Sequence, residues 1–207
     1  MASTAIAIFL LGIMWLSFEF GMTSSKELAI IAVMSAVAAM GRVVFAALPN
    51  IQATTFVVIV SGFVMGSRNG FMVGAASALV SNFFMGQGPW TFWQMLSWGL
   101  AGASAGVLKK VFPNIGKAGM TVFCLLWGYF FGWIMNFWYW SAFIKPLSLK
   151  SFITVCLASF WFDSLHAAGN AILYLLFGIT FTKVLKRFYR RLKVSEGRSG
   201  LKKSTTC

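Results

Sequence analysis

The chain has 207 residues, of which 59% are hydrophobic and only 10% charged, with a mean hydropathy of +0.81. So few charges cannot cover a water-soluble domain of this size, so lipid is the solvent for most of it. The net charge of +13 does not point to nucleic acid, because nine of the 17 Lys and Arg lie between Lys183 and Lys203. A basic tail of this kind is the expected cytoplasmic flank of a final membrane span, with anionic lipid as its neighbour.

Seven apolar runs follow one another at about 4–22, 28–48, 51–66, 70–85, 91–108, 118–141 and 150–182. Crossing a bilayer takes roughly 20 helical residues. The third and fourth runs are nearer 16, and the seventh is long enough to span and then project into the cytosol. The first run has no Lys or Arg before it and no small-residue cleavage site. It reads as an uncleaved anchor, weakened by Glu19 near its end. The expected class is an all-α integral membrane protein. Residues 1–25 form an N-terminal transmembrane helix, 26–190 the membrane domain and 191–207 a basic cytoplasmic tail.

Cys124 and Cys156 lie inside apolar runs and Cys207 is terminal. None has metal-ligand or redox spacing, so no cofactor or metal is expected. Positive charge sets the orientation. With the N-terminus outside, Lys26, Arg68, Lys109, Lys110, Lys117 and the tail face the cytoplasm, 14 in all. Arg42, Lys145 and Lys150 face outward. The connections PNIQ (49–52), GQGPW (86–90) and SAFIKPLSLK (141–150) then lie outside. GSRNG (66–70), with the composition of a tight turn, and KKVFPNIGK (109–117) lie inside.

Ionisable groups in lipid cost at least about 2.5 kcal/mol at a helix centre, so each needs a partner or a task. In FWFDSLHAAGNA, Asp163, His166 and Asn170 are three and four apart and share one helix face, with Ser159 one turn earlier. Two readings are open: Asp163 and His166 bond each other or brace a neighbouring helix, or they meet a ligand. One His with no nearby Cys or second carboxylate does not suit zinc, and no nucleophile elbow accompanies the pair. Arg42, Asn82, Gln87, Gln94, Asn136 and Tyr139 fall toward the outer ends of other runs. Convergent amides and aromatics around an outer cavity suit a solute with many hydrogen-bonding edges. Trp90, Trp93, Trp138 and Trp140 also fit an interfacial aromatic belt. Trp90 differs from the others in lying beside Gln87, in a loop with Gly86, Gly88 and Pro89.

In KELAIIAVMSAVAAMGR, Ala32 and Ala36 are four apart, and Ser35 and Ala39 repeat the spacing. Such small-residue faces serve bundle packing or the docking of another membrane subunit. AVMSA, Ala32 to Ala36, resembles the AxxxA element in the first core helix of substrate-binding S components of energy-coupling factor (ECF) vitamin transporters. The stretch from Gly41 to Met95 resembles the subgroup often assigned to cobalamin. Its outer loop there is similar to GQGPWTPWQM; Phe92 stands here where that pattern has Pro. DSLHAAGN, Asp163 to Asn170, resembles the final helix of that subgroup. The resemblance covers about residues 26–190.

It implies a six-helix S-component bundle, here with one more N-terminal helix, in a bacterial plasma membrane. It also implies partners: a transmembrane coupling subunit reached through Ala32 and Ala36, two ATPases, and a vitamin captured outside, with a cobamide the best fit. The expected site residues are Arg42, Asn82, Gln87, Trp90, Gln94, Asn136, Asp163, His166 and Asn170, none of them catalytic. The chain has no Gly-x-x-x-x-Gly-Lys-Ser/Thr phosphate loop, so energy must come from a partner. The competing readings are an S component for another micronutrient, such as a queuosine precursor or a flavin; a polytopic membrane enzyme using Asp163 and His166; and a non-transporting scaffold.

Overall fold

The computed structural model describes residues 2–19 and 24–204, without the side chains of 2, 3, 14, 17–19 and 193–204. Glu19, Cys207 and the tail cations beyond Leu192 therefore lie outside the described side chains. Every described element is helical: α1 (Ala2–Glu19), α2 (Ser25–Val44), α3 (Thr54–Met65), α4 (Ser67–Met85), α5 (Trp90–Val111), α6 (Lys117–Phe143), α7 (Leu149–Leu173) and α8 (Ile179–Ser204). A π turn, Tyr174–Gly178, joins α7 to α8 without a break. This gives the expected long seventh segment, and the π turn lets the Tyr174 ring lie over Gly178.

Among the described residues, three segments are long and apolar enough to cross a membrane: Ser25–Val44, Lys117–Phe143 and Leu149–Leu192. The shorter α3 has only 12 residues, about 18 Å of helix. Most of its residues, including Val58, Ile59 and Val60, are buried inside the bundle. It is a central helix that meets protein rather than lipid, which explains how so short an apolar run is accommodated.

Local signals set the helix ends. Ser24 caps α2 by accepting from the Glu27 N–H at 3.2 Å. Ser148 and Ser151 form a reciprocal box at the start of α7. Lys109 and Lys110 sit in the last turn of α5, where cations favour the helix dipole. GSRNG is not the multi-residue turn its composition predicts. Only Gly66, at φ 93°, lies between α3 and α4, while Ser67 to Gly70 already belong to α4. A left-handed glycine reverses the chain in one residue.

Glycines also set the packing. Gly70 and Gly74 of α4 face Gly102 and Trp98 of α5, and Gly62 of α3 approaches Gly102 as well. A methyl on Gly102 would run into the Gly70 carbonyl, and one on Gly74 into the Trp98 backbone. A second seam sets Gly128 and Gly132 of α6 against Ala167 and Asp163 of α7. These are close backbone contacts of the small-xxx-small type, which hold helices together where lipid offers no hydrophobic driving force. The motifs GFMVG, GASAG and GYFFG carry them in the sequence.

The two small-residue rows of α2 divide. Ser35 and Ala39 are buried, and the Ser35 hydroxyl bonds Ile31 O at 2.8 Å. Ala32 and Ala36 are exposed. The first helix packs elsewhere: α1 contacts α4, α5 and α6, with Ala7 buried against Trp93 and Leu96.

Candidate functional site

The end of α2, the end of α4 and the start of α5 bring together a connected set of polar side chains. Arg42 donates through Nη1 to Asn82 Oδ1 and, at 2.8 Å, to Ser81 Oγ. Asn82 donates through Nδ2 to Gln94 Oε1 at 2.8 Å and to Thr91 Oγ1 at 2.9 Å. The Thr91 hydroxyl donates to Gln87 Oε1 at 3.0 Å and accepts from the Gly88 N–H at 3.3 Å. Thr91 thus uses its full hydrogen-bonding capacity, and both amide atoms of Asn82 are engaged. Arg42 and Gln94 do not use their full capacity. Each keeps 9% of its surface exposed. Among the described residues, the second amino group of Arg42 and the amide nitrogen of Gln94 make no hydrogen bond and are not enclosed.

Below this set lies Trp98, fully buried, with the Arg42 guanidinium 5.1 Å from its ring centre. A cation over an indole face is favourable, more so when desolvated. The indole N–H donates to Thr55 Oγ1 at 2.9 Å. Thr55 Oγ1 also lies 2.9 Å from His166 Nε2, and His166 Nδ1 lies 3.0 Å from the Asn50 carbonyl. A carbonyl only accepts, so Nδ1 carries the proton and Nε2 accepts from Thr55. Every group in this row, from Trp98 through Thr55 and His166 to Asn50, has its partner.

Asp163 and His166 do not bond each other. Asp163 Oδ2 accepts from Ser159 Oγ at 2.8 Å and Asn136 Nδ2 at 3.3 Å, and Asn136 also donates to Ser159 at 2.7 Å. The carboxyl lies over Gly132, in space that a side chain there would fill. Phe131 packs against both rings of the Trp98 row. Its ring centre is 4.7 Å from that of Trp98 and 5.1 Å from that of His166. Asn170 shares the Asp163 face, yet it joins neither cluster. It is fully buried, and both its amide atoms are without a hydrogen-bond partner among the described residues.

The loop between α4 and α5 is shaped around an aromatic ring. Trp90 begins α5 and packs edge-on against Trp138 at 6.1 Å. Gly88 leaves room for the Trp90 ring, which any side chain there would strike. Gln87 is exposed and anchors back to Leu79 O at 3.2 Å. Trp93, a candidate belt residue by sequence, is instead buried under α1. Beside the Asp163 cluster, a cavity of about 410 Å3 is lined by Asn136, Tyr139, Ser159 and Phe162 among others. Among the described residues, no three His, Cys, Asp or Glu come close enough to hold a metal ion.

A family model for the substrate-specific component of ECF transporters matches residues 26–187. The chain belongs to that family. No curated protein and no solved structure matches it. As an S component it is a membrane subunit that associates with the other ECF subunits and handles a small-molecule substrate. The match begins one residue into α2 and leaves α1 outside. The S-component frame therefore contains both polar clusters.

Sequence reasoning missed Trp98, Thr55, Ser81, Thr91 and Asn50 as members of these clusters. A signal existed for Trp98: it lies four residues after Gln94, flanked by Ser97 and Gly99 in an apolar run. Thr54 and Thr55 are likewise adjacent hydroxyls at the start of an otherwise apolar helix.

Proposed function

We propose that this S component captures a vitamin-type micronutrient on the outer face and delivers it for ATP-driven uptake by a coupling subunit and two ATPases. The observation that carries this reading is the unfinished edge of the Arg42 network. Arg42 and Gln94 are held in place by bonds to Asn82, while their remaining N–H donors are open. Trp90 and Gln87 stand beside that edge through Thr91 and the GQGPW loop. Donors fixed in advance suit a solute rich in carbonyl or phosphate oxygens, since little ordering remains to be done on binding. A cobamide, with its amide side chains and phosphate, has that chemistry, in keeping with the resemblance of the loop to the cobalamin-type pattern. Asn136, Asp163, His166 and Asn170 brace or line the same region from α6 and α7.

The orientation rests on charge. The starts of α2, α4 and α6 and the end of α5 carry Lys26, Arg68, Lys117, Lys109 and Lys110, and α8 carries the tail cations. Contacts among Glu27, Asn69 and Tyr189, and between Gly106 and Ser67, gather most of these ends on one side. That side is cytoplasmic in this reading, and the Arg42 edge faces out. Ala32 and Ala36 form the docking surface for the coupling subunit, left open because α1 packs on α4, α5 and α6.

The test is mass spectrometry of whatever copurifies with the protein, followed by titration of the purified protein with cobalamin. A bound cobamide and saturable binding support the reading. A different copurified micronutrient keeps the S-component role and replaces the solute. Asp163→Asn and His166→Gln separate out the enzyme reading, because a binder changes affinity where an enzyme loses turnover.

A further inference from the structure

The carboxyl of Asp163 leaves one of its oxygens unused. Ser159 and Asn136 both donate to Oδ2. Oδ1 makes no hydrogen bond among the described residues, and it is not enclosed. Asp163 is only 4% exposed, yet no Lys or Arg among the described residues pairs with it. A carboxyl at such depth in a membrane bundle costs free energy unless a partner meets it. Asn136 is in the same position. Its Nδ2 is spent on Ser159 and Asp163, while its Oδ1 makes no hydrogen bond among the described residues and is not enclosed. The atoms left over at the seam of α6 and α7 are therefore acceptors. Those left over at the Arg42 edge are donors.

The seam holds these acceptors still. Gly132 leaves the space that the carboxyl occupies, and the two donors to Oδ2 fix its rotation. A cavity of about 410 Å3 adjoins, with Asn136, Ser159 and Tyr139 in its wall. Asn50, in the connection from α2 to α3, donates to the Phe162 carbonyl at 2.9 Å and accepts from His166 Nδ1 at 3.0 Å. The connection that follows Arg42 thus lies against the turn of α7 that carries Asp163. Donor edge and acceptor seam are at the same end of the bundle.

We infer that the α6–α7 seam is a subsite for an N–H-bearing group of the captured solute, a primary carboxamide or an ammonium, which donates to Asp163 Oδ1 and Asn136 Oδ1. The inference rests on the reading of the protein as a solute-capturing S component, and it gives the solute a polarity. Oxygens lie toward Arg42 and Gln94, N–H groups toward Asp163. A carbonyl or phosphate oxygen at the seam would meet only lone pairs. An alkyl group would leave both acceptors unpaired. A hard cation such as calcium takes about six oxygen ligands or more, whereas the seam offers the two open ones.

The experiment is carbodiimide labelling of the purified full-length protein, with the adducts located by peptide mass spectrometry. Asp163 is labelled in the solute-free protein, and Asp163→Asn lacks that adduct. Methylammonium slows the labelling of Asp163 severalfold. Tetramethylammonium, with the same charge and no N–H, does not. Cobalamin, which carries primary carboxamides, protects Asp163 as well. Asp163→Asn weakens cobalamin binding about tenfold, the scale of one charge-assisted hydrogen bond, and Lys150→Gln leaves it unchanged. No adduct at Asp163, or equal protection by the two ammonium ions, overturns the inference; both readouts use the parent protein and need no variant to fold. So does cobalamin binding that leaves Asp163 labelled at its solute-free rate, or a folded Asp163→Asn protein that binds cobalamin as the parent does. Protection by methylammonium without any cobalamin binding keeps the subsite and removes cobalamin as the solute.

Discussion

Trp98 and Thr55, 43 residues apart in the chain, meet through one hydrogen bond of 2.9 Å in the middle of the bundle. The same Thr55 hydroxyl serves His166. One small side chain therefore satisfies two large buried polar rings, from α5 and α7. Thr55→Val is close in shape and leaves the Trp98 N–H and His166 Nε2 without a partner. It should destabilise the protein by at least about 2 kcal/mol, since each buried group left unpaired costs about 1–3 kcal/mol. Thermal unfolding in detergent measures this. Thr55→Ser should restore most of the loss, and a Thr55→Val protein as stable as the parent would remove the bond's importance.

The two small-residue rows of α2 should respond oppositely to bulk. Ala32→Trp and Ala36→Trp place an indole on an exposed face. They should abolish uptake while leaving solute binding and thermal stability near those of the parent. Ala39→Trp puts the same indole into the packed interior and should lower stability by a few kcal/mol through overpacking. Normal uptake by the Ala32 and Ala36 variants would end the docking role.

Trp90→Ala removes the ring that packs against Trp138 at the start of α5. Equilibrium binding to the purified protein should weaken by about tenfold, the scale of one lost aromatic contact. Unchanged affinity would return Trp90 to an interfacial belt.

Gly102→Ala tests the central seam. The added methyl meets the Gly70 carbonyl, which is backbone and cannot rotate away. A loss of several degrees in unfolding temperature is expected, with α4 and α5 forced apart. Gly132→Ala should act more locally, displacing the Asp163 carboxyl and so changing solute binding more than stability.

Asn170→Leu asks what an unpartnered amide is for. The protein holds both amide atoms away from solvent with no hydrogen bond among the described residues. Replacing it with a side chain of similar size removes that cost, so the solute-free protein should unfold at the same or a higher temperature. Weaker solute binding in the same variant would place the amide in the site. Unchanged binding would leave it outside.

Composition and charge alone determined that this chain is helical, lies in lipid and carries its cations mainly at one end. Spacing put Asp163, His166 and Asn170 on one helix face, and the GQGPWTFWQM segment marked where Gln87, Trp90 and Gln94 would gather. The partners within that set came only with the tertiary structure. Asp163 faces Asn136, His166 faces Thr55, and Arg42 faces Asn82, across separations that local periodicity does not encode. The two faces of α2 make the same point. Ala32 and Ala36 have the same four-residue spacing as Ser35 and Ala39, yet one pair is exposed and the other buried. In a membrane, the lipid-facing and core-facing sides of a helix can be equally apolar, so hydropathy cannot tell them apart. The close packing of α2 with α3 and α4 decides it.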